Sequence, residues 1–149
     1  MDGGALLDTG AYALSFARYF LTSQPNEILS PAKPTVDKSG VILKNTDNEM
    51  AVISLTMRAK MPKRGVVTEE NGFITVDNFT RPDKAVITYA NGKTEMIEEG
   101  ETAKGLNYEV EDMQNAILHQ TGSQTISLSL ECQEHHGQCK RTVGHYLPV

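Results

Sequence analysis

Several absences narrow the possibilities first. The chain of 149 residues has no dense basic cluster: 19 Asp and Glu outnumber 14 Lys and Arg, for a net charge of −5. A nucleic-acid binder needs a concentrated basic footprint, and adsorption to anionic lipid needs one too; residues 60–64 form only a short basic loop. A long apolar run is also missing. The longest stretch, residues 5–21, is interrupted by Asp8 and Arg18 and is too short to span a bilayer. No basic segment precedes it and no small-residue cleavage site follows, so it does not read as a signal peptide. Cysteine is scarce, with two residues; without a secretion signal these fit free thiols in a reducing compartment. The expectation is a cytoplasmic protein.

What is present suits one folded domain over 1–149. A chain of this length buries about two-thirds of its unfolded surface, and an apolar share of 39% is on the low side of globular composition but outside the disordered range. Residues 3–23 predict a helix, with Leu6, Leu7, Leu14, Ala17, Phe20 and Leu21 on an apolar face and Pro25 as a stop signal. Residues 50–59 alternate, Ala51, Ile53, Leu55, Met57 and Ala59 pointing one way and Ser54, Thr56 and Arg58 the other, which is the period of a strand with one buried face. Met50 and Val52 stand on its otherwise polar face and hint at an interaction patch. Residues 41–44 precede it as the other arm of a hairpin, across the turn-like 45–48. Two Asn-Gly pairs, Asn71-Gly72 and Asn91-Gly92, predict two more hairpins, 65–68 with 73–76 and 85–89 with 94–97. Residues 27–33 read as a further strand, limited by Pro31 and Pro34. Val110, Met113, Ala116 and Ile117 predict a helix over 107–120, and 126–142 is a second helical window. This order predicts an α+β fold: an open, predominantly antiparallel sheet with helices packed on one face. No repeat, linker or internal boundary is evident.

Two constellations could carry chemistry. In the run Gly3-Gly4-Ala5-Leu6-Leu7-Asp8-Thr9-Gly10-Ala11-Tyr12, Asp8 and Tyr12 are four residues apart and share one helical face. A phenol and a carboxylate side by side suit acid–base work on a hydroxyl or carbonyl. Phenols ionise only near pH 10, so such a pair needs a nearby cation, and nothing in this stretch supplies one. The structural alternative is that Asp8 complements the helix dipole and Tyr12 packs half-buried. The second constellation is Cys132, His135, His136 and Cys139, at i, i+3, i+4 and i+7 on one helical side. Cys and His are zinc ligands, with His145 as an outside candidate. Four ligands on one helix wrap a tetrahedral ion poorly, because their vectors are nearly parallel, and Cys is an ordinary small core residue. No metal is expected.

The run at residues 3–12 resembles the signature of the Gfo/Idh/MocA oxidoreductase family, the glucose–fructose oxidoreductase and inositol dehydrogenase group. Its Tyr12, where many members carry His, resembles the dimeric dihydrodiol dehydrogenase branch. The resemblance continues through Met57-Arg58-Ala59-Lys60-Met61-Pro62, Gly72-Phe73-Ile74-Thr75-Val76, Asn91-Gly92-Lys93 and Tyr108-Glu109 to Lys140-Arg141, and so covers essentially the whole chain.

By that resemblance, the chain corresponds to the C-terminal substrate and dimerisation domain of an oxidoreductase using NAD or NADP. Asp8 and Tyr12 match the family's substrate-facing acid–base pair. The cation would be a lysine from a Glu-Lys-Pro motif in an N-terminal Rossmann domain. This sequence has neither Glu-Lys-Pro nor the strand and G-x-G-x-x-G turn that seat a pyrophosphate, and the family motif begins almost at Met1. The expectations are therefore a chain shortened on its N-terminal side, no cofactor on this chain alone, a sugar, polyol or diol substrate in the complete enzyme, and a homodimer through the sheet. The competing expectation is a binding or scaffolding module that keeps the fold without catalysis.

Overall fold

A computed structural model describes residues 9–30, 38–101 and 105–119. They fall into two compact units divided between Met61 and Pro62.

The first unit contains α1 (Gly10–Phe20), β1 (Glu27–Leu29), β2 (Lys38–Lys44) and β3 (Met50–Thr56). The strands form an antiparallel sheet in the order β1-β2-β3. Period-two alternation decides its faces. Val41 pairs with Ile53 and Leu43 with Ala51; Val41, Leu43, Ile53 and Leu55 are buried. Helix α1 packs on β3 through a face made by Gly10, Ala13 and Leu14, continued by Leu21. Each large apolar side chain so buried contributes roughly 1.5–3 kcal/mol. The helix ends where Leu21 turns to an extended conformation. There Arg18 donates from Nη1 to the Leu21 carbonyl at 2.9 Å, a basic group satisfying a carbonyl at the helix end.

The β2–β3 turn is organised by one buried side chain. Asn45 is 2% exposed. Its Oδ1 accepts from the backbone N–H groups of Asp47 (3.1 Å) and Glu49 (3.0 Å), and its Nδ2 donates to Glu49 Oε2 at 2.5 Å. Such a ring is the local geometry that makes asparagine a turn residue. Asn48 completes it at φ 62°, a left-handed conformation that asparagine tolerates. Glu49 Oε2 also accepts from the backbone N–H (2.8 Å) and hydroxyl (2.9 Å) of Thr22, and Ser23 Oγ donates to Asp47 Oδ2 at 2.7 Å. The segment leaving α1 is thereby fastened to the hairpin.

The second unit is a meander, β4 (Arg64–Glu69), β5 (Gly72–Asp77), β6 (Lys84–Tyr89) and β7 (Thr94–Glu98) in sequence order, followed by α2 (Gly105–His119). Both Asn-Gly hairpins form. In the first, Glu69 pairs with Gly72, so the loop is Glu70–Asn71 alone and Gly72 opens β5 rather than closing the turn. Its φ is +151°, and a Cβ there would lie 2.2 Å from the Thr88 carbonyl oxygen; only glycine fits. At the far end of the same pair, Arg64 grips Asp77 with two hydrogen bonds of 2.7 and 2.9 Å. In the second hairpin, Gly92 (φ 82°) lies in a loop closed by Tyr89 N–H on the Lys93 carbonyl at 2.9 Å.

The α+β class holds, and the expected open antiparallel sheet is present as two sheets. Helix packing holds for α1 on β3. Helix α2 forms as its spacing predicts, yet none of its residues is buried; Val110, Met113 and Ile117 are exposed. Its start is tied to the preceding chain by Tyr108 Oη, which accepts from Glu101 N–H at 3.0 Å. The strand expected over 27–33 is described as Glu27–Leu29, and the alternating strand stops at Thr56, where the Ala59 N–H turns back onto Thr56 Oγ1 at 3.2 Å. The helical window 126–142 lies outside the described residues.

Gly72→Ala is expected to lower stability by about 2 kcal/mol or more through backbone collision and strain. Gly92→Ala meets nothing within 4 Å and should cost only its left-handed φ, about 1 kcal/mol; denaturant midpoints of the two variants check the difference. Hydrogen bonds from the Thr22 backbone, the Thr22 hydroxyl and Asn45 hold the Glu49 carboxyl below the usual carboxylate range. A depressed folded value contributes stability above the unfolded value that is lost as pH falls through the folded one. Acid titration of the unfolding midpoint should show this loss, and Glu49→Gln should flatten it.

Candidate functional site

Tyr12 stands in the first turns of α1, 59% exposed, while Ala13 and Leu14 beside it are buried against the sheet. The helical period explains this: the core face returns at Gly10, Ala13, Leu14 and Leu21, and Tyr12 falls on the opposite side. Its hydroxyl is thus presented on the outer face of a helix held at its far end by the Asn45–Glu49 turn. Asp8 lies outside the described residues, so the pairing of the two rests on sequence spacing.

Sequence reasoning missed what surrounds Tyr12. Phe16 and Tyr19 follow it at i+4 and i+7, which makes an aromatic stripe on the outer side of the helix. The Phe16 and Phe20 rings are 5.0 Å apart at 56°, and Tyr19 meets Phe20 edge-on at 5.2 Å and 81°, geometries that aromatic quadrupoles favour. Phe20, expected on the core face, is 38% exposed and belongs to this cluster instead. The i, i+4, i+7 spacing carries the signal for the stripe, but Phe20 is apolar like the aliphatic residues, and residue type alone does not separate the two faces.

The other perturbed groups are surface pairs. The hydrogen bond to Arg64 holds the Asp77 carboxyl low and raises the guanidinium in turn. The hydroxyl of Tyr89 donates to Glu95 Oε2 at 3.0 Å, and that bond raises the phenol. A polar recess of about 280 Å³ is lined by Asp83, Lys84, Glu98, Glu99 and Gly100. The loop 77–83 contains a turn closed by Arg81 N–H on the Asn78 carbonyl at 2.8 Å. Cys132, His135, His136, Cys139 and His145 lie outside the described residues; among the described ones no group of His, Cys, Asp and Glu could hold a metal ion. No described helix is long and apolar enough to cross a membrane.

The described residues contain no Rossmann-type seat for a pyrophosphate. A pyrophosphate is seated where a parallel strand runs through a glycine turn into a helix, whereas every described strand pair is antiparallel.

The antiparallel α+β fold has counterparts among solved oxidoreductases. No family model matches the chain. By sequence it is 26% identical over 132 residues to the trans-1,2-dihydrobenzene-1,2-diol dehydrogenases of Xenopus laevis and Xenopus tropicalis, an alignment spanning 79% of this chain and 39% of each relative. By fold it is similar to the UDP-N-acetylglucosamine 3-dehydrogenase GnnA of Acidithiobacillus ferrooxidans, with a TM-score of 0.72 and 15% identity, over 95% of this chain and 46% of that one. It is likewise similar to KijD10, a 3-ketoreductase of Actinomadura kijaniata in complex with TDP-benzene and NADP, in its open conformation, with a TM-score of 0.65 and 18% identity, over 90% of this chain and 44% of that one. These findings bear out the resemblance to the Gfo/Idh/MocA oxidoreductases: the chain is similar in sequence to dihydrodiol dehydrogenases and in fold to sugar oxidoreductases. It spans about two-fifths of the length of the curated relatives it matches.

Proposed function

We propose that this chain is the substrate-side domain, residues 1–149, of an NAD- or NADP-dependent oxidoreductase acting on a secondary hydroxyl or carbonyl of a sugar, polyol or diol, and that it associates as a homodimer through its sheet. The observation that carries the reading is the alignment with dihydrodiol dehydrogenases over 79% of the chain; beside it stands the exposed phenol of Tyr12. The substrates of the similar proteins support the chemical class: a cyclic diol, an amino-sugar nucleotide oxidised at C3 and a 3-keto compound all present a secondary carbinol or its ketone.

In this reading the Tyr12 hydroxyl gives its proton to the substrate carbonyl oxygen in reduction, its ionised form takes the proton of the substrate hydroxyl in oxidation, and the Asp8 carboxylate positions the pair. Redox chemistry belongs to a nicotinamide held by a nucleotide-binding portion, which also supplies the cation that favours the ionised phenol. Exposed apolar residues on the sheets, Met50, Val52, Val66, Phe73 and Met96, support association through them.

Titration calorimetry of the purified chain with NAD(H) and NADP(H) is expected to give no binding heat, and micromolar binding would overturn the assignment to the substrate side. In a protein that joins this chain to a nucleotide-binding portion, Tyr12→Phe is expected to lower kcat by about 10²-fold or more with the fold intact. A variant as active as the parent would instead favour a binding module without catalysis.

A further inference from the structure

Both Asn-Gly pairs stand at hairpin turns, and they differ in what holds the peptide unit between the two residues. That unit matters because the backbone nitrogen following an asparagine can attack the side-chain amide, and glycine, lacking a Cβ, leaves this nitrogen unshielded. Attack requires the unit to turn toward Cγ. Asn71 and Asn91 are both exposed, so solvent access does not separate them. At Asn71 the unit is held from both sides. Its carbonyl accepts from Ala90 N–H at 2.8 Å, Gly72 pairs with Glu69 on β4 and with Tyr89 on β6, and the Thr88 carbonyl stands where a Cβ would be. Three strands have to part before the nitrogen can move. At Asn91 a single backbone bond among the described residues, Gly92 N–H on the Tyr89 carbonyl at 2.9 Å, holds the unit. The side chain is already folded toward it: Asn91 Oδ1 accepts from the Lys93 N–H at 2.9 Å, which wraps the amide around the Gly92 nitrogen. A donor on that oxygen also stabilises the negative charge the oxygen gains when its carbon is attacked.

We propose that Asn91-Gly92 is a site of spontaneous covalent modification, at which the chain converts its own asparagine to isoaspartate and aspartate, and that the fold protects Asn71-Gly72 from the same reaction. The Gly92 amide nitrogen gives up its proton and bonds to Asn91 Cγ. The Cγ–Nδ2 bond breaks, and the amide nitrogen leaves with that proton as ammonia, closing a cyclic imide. Water then adds to one of the ring carbonyls. Opening at the former side-chain carbonyl restores the main chain with an aspartate. Opening at the other passes the main chain through the former side chain and gives isoaspartate. No oxidant or reductant takes part, and water is the one co-reactant. Either product places a carboxylate where a neutral amide stood. Isoaspartate also adds a main-chain carbon between Tyr89 and Lys93, whose backbone bond closes the hairpin, next to the Thr88–Thr94 pair that begins the β6–β7 ladder. The pairing of β7 is therefore what the modification alters.

The test is peptide mapping by mass spectrometry of the purified full chain held in mildly alkaline buffer, with isoaspartate counted separately by enzymatic methylation of its free α-carboxyl. Asn91 is expected to convert at least about tenfold faster than Asn71 in the folded chain, and at a comparable rate once urea has unfolded it, with isoaspartate among the products. Equal rates in the folded chain would overturn the proposal, and so would a stable Asn91. The same ratio in urea would trace the difference to flanking residues and overturn the protection of Asn71 by the fold. Aspartate without isoaspartate would mean direct hydrolysis and overturn the cyclic route. Gly92→Ala brings a Cβ that meets nothing within 4 Å but shields the nitrogen. It should slow conversion of Asn91 by at least about tenfold with the circular dichroism unchanged, and an unaltered rate would overturn Gly92 as the source of the attacking nitrogen.

Discussion

Helix α1 and the β2–β3 hairpin are joined through the amide of Asn45 and the carboxylate of Glu49, and the placement of Tyr12 depends on that junction. Asn45 is almost wholly buried, and a buried amide left unpaired costs about 1–3 kcal/mol. Its partners must therefore sit where its donors and acceptors point. Two are backbone N–H groups of its own turn and one is Glu49, which in turn receives the backbone and hydroxyl of Thr22. Hydrophobic contact between α1 and β3 is non-directional and would accept a range of helix rotations. The hydrogen-bonded end removes that freedom, and with Leu14 against the sheet the phenol of Tyr12 is left on the outer side.

The second unit is stabilised differently. Its four strands are linked by tight hairpins, and their register is set by glycine geometry at Gly72 and by the Arg64–Asp77 pair at the opposite end of the same ladder. Its interior is thin: Val76 is its one large apolar side chain fully buried among the described residues. A sheet and an amphipathic helix each need an apolar cover, and here Val66, Phe73 and Met96 on the strands and Met113 and Ile117 on the helix remain exposed. The chain spans about two-fifths of its curated relatives.

Much of this was legible in the order of residues. Alternation in 50–56 and the two Asn-Gly pairs specify strands and turns through local sterics and the two-residue side-chain period, and those elements formed close to their expected limits. Gly72 shows where such reading stops. Asn-Gly marked the hairpin, but the glycine is required by Thr88, which lies on the next strand of the meander. The chemistry of the candidate site was legible as residue types, a phenol four residues from a carboxylate. The aromatic company of Tyr12 was not, because assigning Phe20 to a face depends on which side the sheet lies.

The sequence by itself determined the α+β class and the similarity to oxidoreductases of the dihydrodiol dehydrogenase kind, and it offered Asp8 and Tyr12 as candidates, since each follows from local periodicity or from an ordered set of short motifs. Tertiary structure alone decided that the strands divide into two sheets and that Asn45 and Glu49 fasten the helix. Pairing partners, burial and the completion of hydrogen bonds are set by residues distant in the chain, and no local pattern encodes them.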